Sequence, residues 1–392
     1  MYSNIRSIHV VERYMVNTEA IRFEMTNDEC TDDTISTTEY QSSSDDESIN
    51  TKEKRRDAFL RRYQRGIRLL DHPHFLLLYV PDDGTMMRLV KPSEDSYHRE
   101  RIIQMVDDSD LLLPYYALSH LWGTSKANPH TWEEVGEYVM DENGEPAAPV
   151  SMRPQKRKTL LALLEDHPDS YWWIDVLCAR TDTPLGIMGD IYACCYLCYA
   201  LVDCEVELIA QINSMARELF FDDDSPPWER DVYKEVYDVL STFYQCNWWK
   251  RVWTWQEAAL PDEVLFIAEA HSEISDDNML SIDDLDQLSG DAWFVGMDLV
   301  EVFDSDEEVD YVYGVLGIFQ LDIPRKNDPN EVWQLFLSEL RKLLTDPKRV
   351  KIRNEYDTKM IARISDDRLR KCNLLTAKNL GEVYRCFDKD GL

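Results

Sequence analysis

Short runs of aromatic, aliphatic and β-branched residues recur along this chain, separated by segments with helical periodicity. HFLLLYV at 74–80 and TMMRLV at 85–90 flank the turn PDDG. YYALS at 115–119, YWWIDVLC at 171–178 and EVLFIA at 263–268 are runs of the same kind. Each is short and bounded by turn formers, which predicts strands. Between them, KRKTLLALLEDH at 156–167 and the segments 185–200, 206–220 and 229–246 read as helices. Pro184 suits a first helical turn, with Asp182 or Thr183 as the cap. Strands alternating with helices up to about residue 270 predict an α/β domain built on a mostly parallel sheet flanked by helices. Ligands bind such sheets at the carboxyl ends of the strands. That places HLWG, after YYALS, and Asp175, at the end of its run, beside any ligand.

The remaining stretches divide the chain. Residues 27–55 are polar and poor in large apolar side chains, so 1–56 is expected to be disordered or weakly ordered. An α/β domain is expected over 57–320 and a helical extension packing on it over 321–392. Residues 124–153 hold Asn-Pro, Asn-Gly and Arg-Pro turn signals and read as a long loop or insertion. The Trp-rich segment continues as a helix to about 259, where Pro261 stops it. After SEISDD comes a further helical region, then DYVYGVLGIF (310–319) and EVWQLFLSELRKLL (331–344), both apolar on one face. The last 47 residues carry 12 Lys and Arg against 8 Asp and Glu, a basic tail suited to packing on an acidic body.

Charge and cysteine usage exclude some functions. With 42 basic against 75 acidic residues the net charge is -33, which repels nucleic-acid backbones and anionic membrane surfaces. The N-terminus lacks the apolar core of a signal peptide, and the longest apolar run, 191–202, is too short to span a bilayer. Nine cysteines then read as reduced thiols of an intracellular, cytoplasmic protein. Cys195 and Cys198 form C-x-x-C in the expected helix, but no second ligand pair stands at zinc spacing. They read as small core residues with Cys194, and no metal is expected. A P-loop is absent.

RVWTWQEAAL, 251–260, gathers Trp253, Trp255 and Arg251 around Glu257, just after Trp248 and Trp249. This is either a packed helix with a solvated carboxylate or an aromatic-walled pocket with one working carboxylate. Ser119 and His120 lack the Gly-x-Ser-x-Gly elbow of a hydrolase triad, so His120 reads as packing or a hydrogen bond.

Four stretches in order, YYALSHLWG, YWWIDVLC with IMGDIY, WWKRVWTWQEAAL and DYVYGVLGI, resemble the fungal heterokaryon-incompatibility (HET) domain over roughly residues 70–320. Two departures stand out. The family's Ile-Asn-Gln after the cysteine is Ala179, Arg180 and Thr181 here, and a tyrosine is replaced by His120. The resemblance implies a role in programmed cell death after non-self recognition. It also implies a TIR-like, flavodoxin-like fold. Several TIR domains cleave NAD with a glutamate four residues after a helical tryptophan, the spacing of Trp253 and Glu257. By that analogy Glu257 is the catalytic carboxylate. Trp122, Gly123, Asp175, Arg180, Arg251 and Trp253 would contact NAD or a related nucleotide. NAD would be a substrate, no resident cofactor is required, and self-assembly into a homo-oligomer is expected. The rival readings are a non-catalytic signalling module acting by self-association or partner binding, and a nucleotide sensor without turnover.

Overall fold

Four parallel strands form the middle of one eight-stranded sheet, and their order decides where a ligand site can lie. The computed structural model of the 392-residue chain describes residues 62–109, 113–123, 130–221, 232–251, 253–270, 275–285, 288, 309–314, 316–319 and 321–345. The expected weak order of 1–56, the basic tail from 346 on and the loop stretch 124–129 lie outside these residues.

The central strands are β3 (Tyr115–His120), β7 (Ser170–Ile174), β8 (Leu197–Val202) and β9 (Val264–Ala268). β3 pairs in parallel with both β7 and β8, and β8 with β9. In chain order this is the arrangement second-first-third-fourth, as in doubly wound flavodoxin-like sheets. The direction in which the chain adds strands across the sheet reverses between β3 and β8. A crevice opens at such a switch point, beyond the carboxyl ends of the two strands. All five residues of β7 are buried, as are all of β8 and β9. Helices cover both faces, so these strands read as continuous apolar runs with no alternation.

The flanks of the sheet are not parallel throughout. β1 (Leu77–Val80) runs antiparallel to β7 and to β2 (Met87–Val90), and β10 (Met279–Ser281) antiparallel to β9. β5 (Val139–Met140) joins β2 in parallel at the other edge. The stretch expected to be a loop therefore supplies an edge strand. It also carries a separate two-stranded antiparallel sheet, β4 (Thr131–Trp132) with β6 (Val150–Ser151).

The helices follow from their apolar stripes. After a helix at 62–70 (α1) and Ser96–Ser109 (α2), α3 (Pro154–Asp166) starts on a proline, whose missing N–H is no loss at that position. It buries Lys156, Thr159, Leu160, Leu163 and Leu164. α4 (Asp175–Cys178) is a single turn after β7, so the strand ends at the aspartate, as expected, and the rest of the run turns into helix. α5 (Gly186–Cys194) and α6 (Val206–Phe221) flank β8, and α7 (Val232–Tyr244) buries Val236, Val239, Leu240 and Phe243 at helical spacing.

Two expectations fail for identifiable reasons. The helix read over 185–200 ends at Cys194, and Cys198 lies in β8. A short, wholly apolar run does not reveal its period, and here pairing with β3 and β9 makes it a strand. Neither Asp182 nor Thr183 caps α5. Thr183 Oγ1 instead accepts the Arg180 N–H at 2.8 Å in a preceding turn.

The Trp-rich helix is also broken, into α8 (Asn247–Lys250) and α9 (Thr254–Ala259). Arg251 between them is extended. The Thr254 hydroxyl lies 2.8 Å from the Trp248 carbonyl and 2.6 Å from that of Arg251, satisfying the chain at the break. Beyond the sheet, α10 (Asp310–Tyr313), α11 (Leu316–Phe319) and α12 (Pro329–Thr345) follow. The Tyr313 hydroxyl receives the Lys326 N–H at 2.6 Å, tying the last helix's approach to α10.

Candidate functional site

The site is built at the end of β3, where successive side chains leave on opposite faces of the sheet. Ser119 and His120 are both buried there. The Ser119 hydroxyl donates to Glu257 Oε2 and accepts the indole N–H of Trp248 at 2.9 Å. His120 turns instead toward Asp175 and Lys156. One strand end thus holds two polar groups back to back.

Glu257 is the first of these groups' acids, and it is 5% exposed. Removing a carboxylate from water penalises its charged form, and this pushes Glu257 up to about 7. The nearby charge of Asp175 works in the same direction. The Arg251 guanidinium, the Ser119 hydroxyl and the buried Tyr192 phenol oppose it. Arg251 is itself held by a bond of 2.9 Å to the His120 carbonyl. Trp248 packs edge-on against Trp249 and Phe266, with centroids 4.7 and 5.5 Å apart, so the serine-glutamate pair is roofed by aromatic rings.

The second group centres on Asp175. Its carboxylate accepts the His120 Nε2–H at 2.9 Å, the Trp122 indole N–H, and the Val176 N–H at 2.6 Å. Burial alone would raise an aspartate, but these partners and Arg251 outweigh it and hold Asp175 below the usual range. His120 is fully enclosed, and burial holds its pKa down. The neutral ring donates through Nε2 and accepts at Nδ1 from Lys156 Nζ, 3.2 Å away. Lys156 also donates to the Leu121 carbonyl and lies 3.8 Å from Glu269, which Arg153 binds at 2.7 Å. Burial lowers Lys156 to about 7.

The residues singled out in the sequence are distributed as follows. Glu257, Asp175 and Arg251 converge, and Trp122 lies 51% exposed with its indole nitrogen on Asp175. Trp253 is half-buried at the N-cap of α9, four residues before Glu257. Gly123 makes its close approach to protein backbone: an added Cβ would stand 2.5 Å from Met152 N and 2.6 Å from His130 O. Arg180 turns away to Glu142 at 2.7 Å and to the Leu177 carbonyl at 2.6 Å.

Sequence reasoning missed Ser119, Trp248, Tyr192 and Lys156. For Lys156 a signal existed: it stands in phase with Thr159, Leu160, Leu163 and Leu164 on the apolar stripe of α3. Ser119 and Trp248 had none, because their meeting joins positions 129 residues apart.

The helix-bearing motifs also meet. Gly189 of IMGDIY packs on Gly317 of DYVYGVLGI so closely that a Cβ on Gly317 would stand 2.5 Å from Gly189 Cα. It would also stand 2.7 Å from Oε1 of Gln256, the neighbour of Glu257. Cys178, Cys194, Cys195 and Cys198 are buried, and burial pushes Cys178 up to about 12 and Cys194 up to about 11. Among the described residues no three His, Cys, Asp or Glu side chains form a group that could hold a metal ion. Among them, too, no helix is long and apolar enough to cross a membrane.

The family model described as heterokaryon incompatibility protein (HET) matches residues 115–257. No curated protein and no solved structure matches the chain. The matched stretch starts on the first residue of β3 and ends on Glu257, so it encloses Ser119, His120, Asp175, Trp248 and Arg251. Over these residues the chain is similar to the heterokaryon-incompatibility (HET) family.

Proposed function

We propose that this chain, HET-like over residues 115–257, acts in non-self recognition and the cell death that follows, by hydrolysing NAD at its nicotinamide–ribose bond. The observation that carries the reading is Glu257, a desolvated carboxyl group beside Arg251 at the carboxyl end of β3, next to the switch point of the sheet.

Nicotinamide departs as a neutral base, because the ring is cationic in NAD. The leaving group therefore needs no general acid, unlike an ordinary glycoside. Positive charge builds on the ribose as the bond breaks, and one ionised carboxylate beneath it stabilises that charge, most strongly away from water. Water then adds to the sugar carbon, giving ADP-ribose, and a proton is released. Arg251 would neutralise the diphosphate and exposed Trp122 would stack on a flat ring. NAD enters this scheme as substrate, with no resident cofactor.

One observation favours a second reading. Glu257 is almost wholly enclosed and already hydrogen-bonded to Ser119, so α8 and α9 would have to move before a sugar reached it. A nucleotide sensor without turnover, or a signalling module working through self-association or partner binding, needs no such motion.

The test is nicotinamide release from NAD by the purified full chain at high concentration, beside Glu257→Gln. Gln keeps the shape, and its amide can still bond Ser119. Release by the parent with a loss of about 100-fold or more in the variant supports the reading. Equal release by both removes Glu257 from the mechanism. No release by either, with NAD binding retained, favours the sensor. Neither release nor binding, with concentration-dependent assembly, favours the signalling module.

A further inference from the structure

Six free cysteines lie among the described residues, and two of them differ from the rest. Cys178, Cys194, Cys195 and Cys198 are buried. Cys204 and Cys246 are partly exposed, although 42 positions separate them in sequence. Both sit beside the switch-point crevice. Cys204 follows β8 by two residues, and Cys246 is the N-cap of α8.

A carboxylate holds the two segments together. Asp203 Oδ2 accepts the Asn247 N–H at 3.2 Å and the Asn247 side-chain amide at 2.7 Å, and Oδ1 accepts the Trp248 N–H at 2.9 Å. Asp203 thereby does for α8 what a local N-cap side chain does, from 44 residues away. The clamp brings the residues next to it, Cys204 and Cys246, side by side, and each thiol shifts the acidity of the other. In its thiol form Cys246 also has the Thr242 carbonyl at 3.8 Å.

The geometry points to Cys204 and Cys246 as a peroxide-oxidisable dithiol that closes to a disulfide. The two sulfurs are unequal. The neighbouring Cys204 thiol lowers the Cys246 pKa, helped by Lys250 and opposed by burial and Asp203. The same contact and burial raise Cys204. Cys246 is therefore the thiolate that attacks. Its sulfur displaces hydroxide from a hydroperoxide such as hydrogen peroxide, forming a sulfenic acid. Cys204 then attacks that sulfur, its thiol proton leaves with the departing hydroxyl as water, and the S–S bond forms. Two thiols and one peroxide become one disulfide and two waters. The cross-link fastens the end of β8 to the start of α8, whose Trp248 holds Ser119. Nothing in this step depends on NAD chemistry.

The experiment exposes the full chain to limiting hydrogen peroxide, alkylates remaining thiols and maps peptides without reduction. Cleavage before aspartate releases 203–221, whose sole cysteine is Cys204, and 238–261, whose sole cysteine is Cys246. These two peptides joined, with the mass of two hydrogens lost, is the expected result. In Cys204→Ser, Cys246 should stop at a sulfenic acid trapped by a dimedone probe. In Cys246→Ser, Cys204 should remain alkylatable. Both cysteines fully alkylated in peroxide-treated parent protein would overturn the proposal. So would Cys246 joined to Cys30, Cys372 or Cys386, or a parent Cys246 that proceeds to sulfinic acid unpaired. Should either variant fail to fold, the parent map decides alone.

Discussion

Lys156 Nζ lies 3.2 Å from Nδ1 of His120, with both side chains fully buried. The Asp175 carboxylate, 2.9 Å from Nε2, can only accept, so the neutral ring keeps its proton there and presents Nδ1 to the lysine. The lysine's charge disfavours a second proton on the ring, and the histidine helps keep Asp175 ionised for Trp122.

Lys156→Met should raise the pKa of His120. The substitution removes a cation that disfavours the imidazolium, and it frees Nδ1 to donate to the Leu121 carbonyl, 3.0 Å away. Both ring nitrogens would then face acceptors. NMR titration of the labelled imidazole reads this directly, and an unchanged midpoint would show that Lys156 does not govern the ring. Losing the lysine's bond to Leu121 should also cost about 1–3 kcal/mol of stability.

Nicotinamide release, in the proposed mechanism, needs Glu257 as carboxylate. Its pKa is raised to about 7, so the rate should climb with pH and level off above about 8. At pH 6 it should be roughly a tenth of the plateau. A profile flat from pH 5.5 to 8, measured with protein shown to stay folded, would remove Glu257 from the rate-determining step.

Stability should also depend on pH through two buried groups with opposite signs. Glu257 is raised from 4.5 to about 7, so between those values the folded protein holds a proton that the unfolded chain has released. Stability from this group is full below 4.5 and falls as pH rises through 7, by about 3 kcal/mol at most. Lys156 is lowered from 10.5 to about 7, so the unfolded chain holds the extra proton and stability rises with pH across that window. The two place a stability minimum near neutral pH. Urea unfolding at several pH values should show it, with Glu257→Gln flattening the acidic limb and Lys156→Met the alkaline one.

Gly317→Ala should destabilise the fold by about 1–3 kcal/mol. The new methyl meets the Gly189 backbone on one side and Gln256 on the other, and the backbone cannot yield cheaply. Thermal unfolding measures the shift. Because Gln256 precedes Glu257, any nicotinamide release should fall as well. A variant with unchanged Tm would show that α5 and α11 can separate without cost.

The sequence and the structure agree where a local pattern had a single physical outcome. The runs around Tyr115, Trp172 and Phe266 had to be strands, since they are short, apolar and bounded by turn formers. The stripe from Lys156 to Leu164 had to be a helix. Disagreement came where the local pattern had two. The run LCYALV is apolar on every side, so its period is invisible, and only its place between β3 and β9 makes it a strand. The Trp-rich segment looks like one helix because nothing nearby announces that Thr254 will satisfy the Trp248 and Arg251 carbonyls and let the chain break.

The sequence by itself determined the α/β class, the HET motifs and Glu257 as the carboxylate worth watching. These rest on residue types and short spacings. Tertiary structure alone decided that Glu257 meets Ser119, that Lys156 meets His120, that Asp203 caps α8 and that Arg180 faces Glu142. Each contact joins residues dozens of positions apart. Burial is what shifts the acidity of Glu257 and Lys156, and burial is a property of the folded sheet and its helices, not of any stretch of chain.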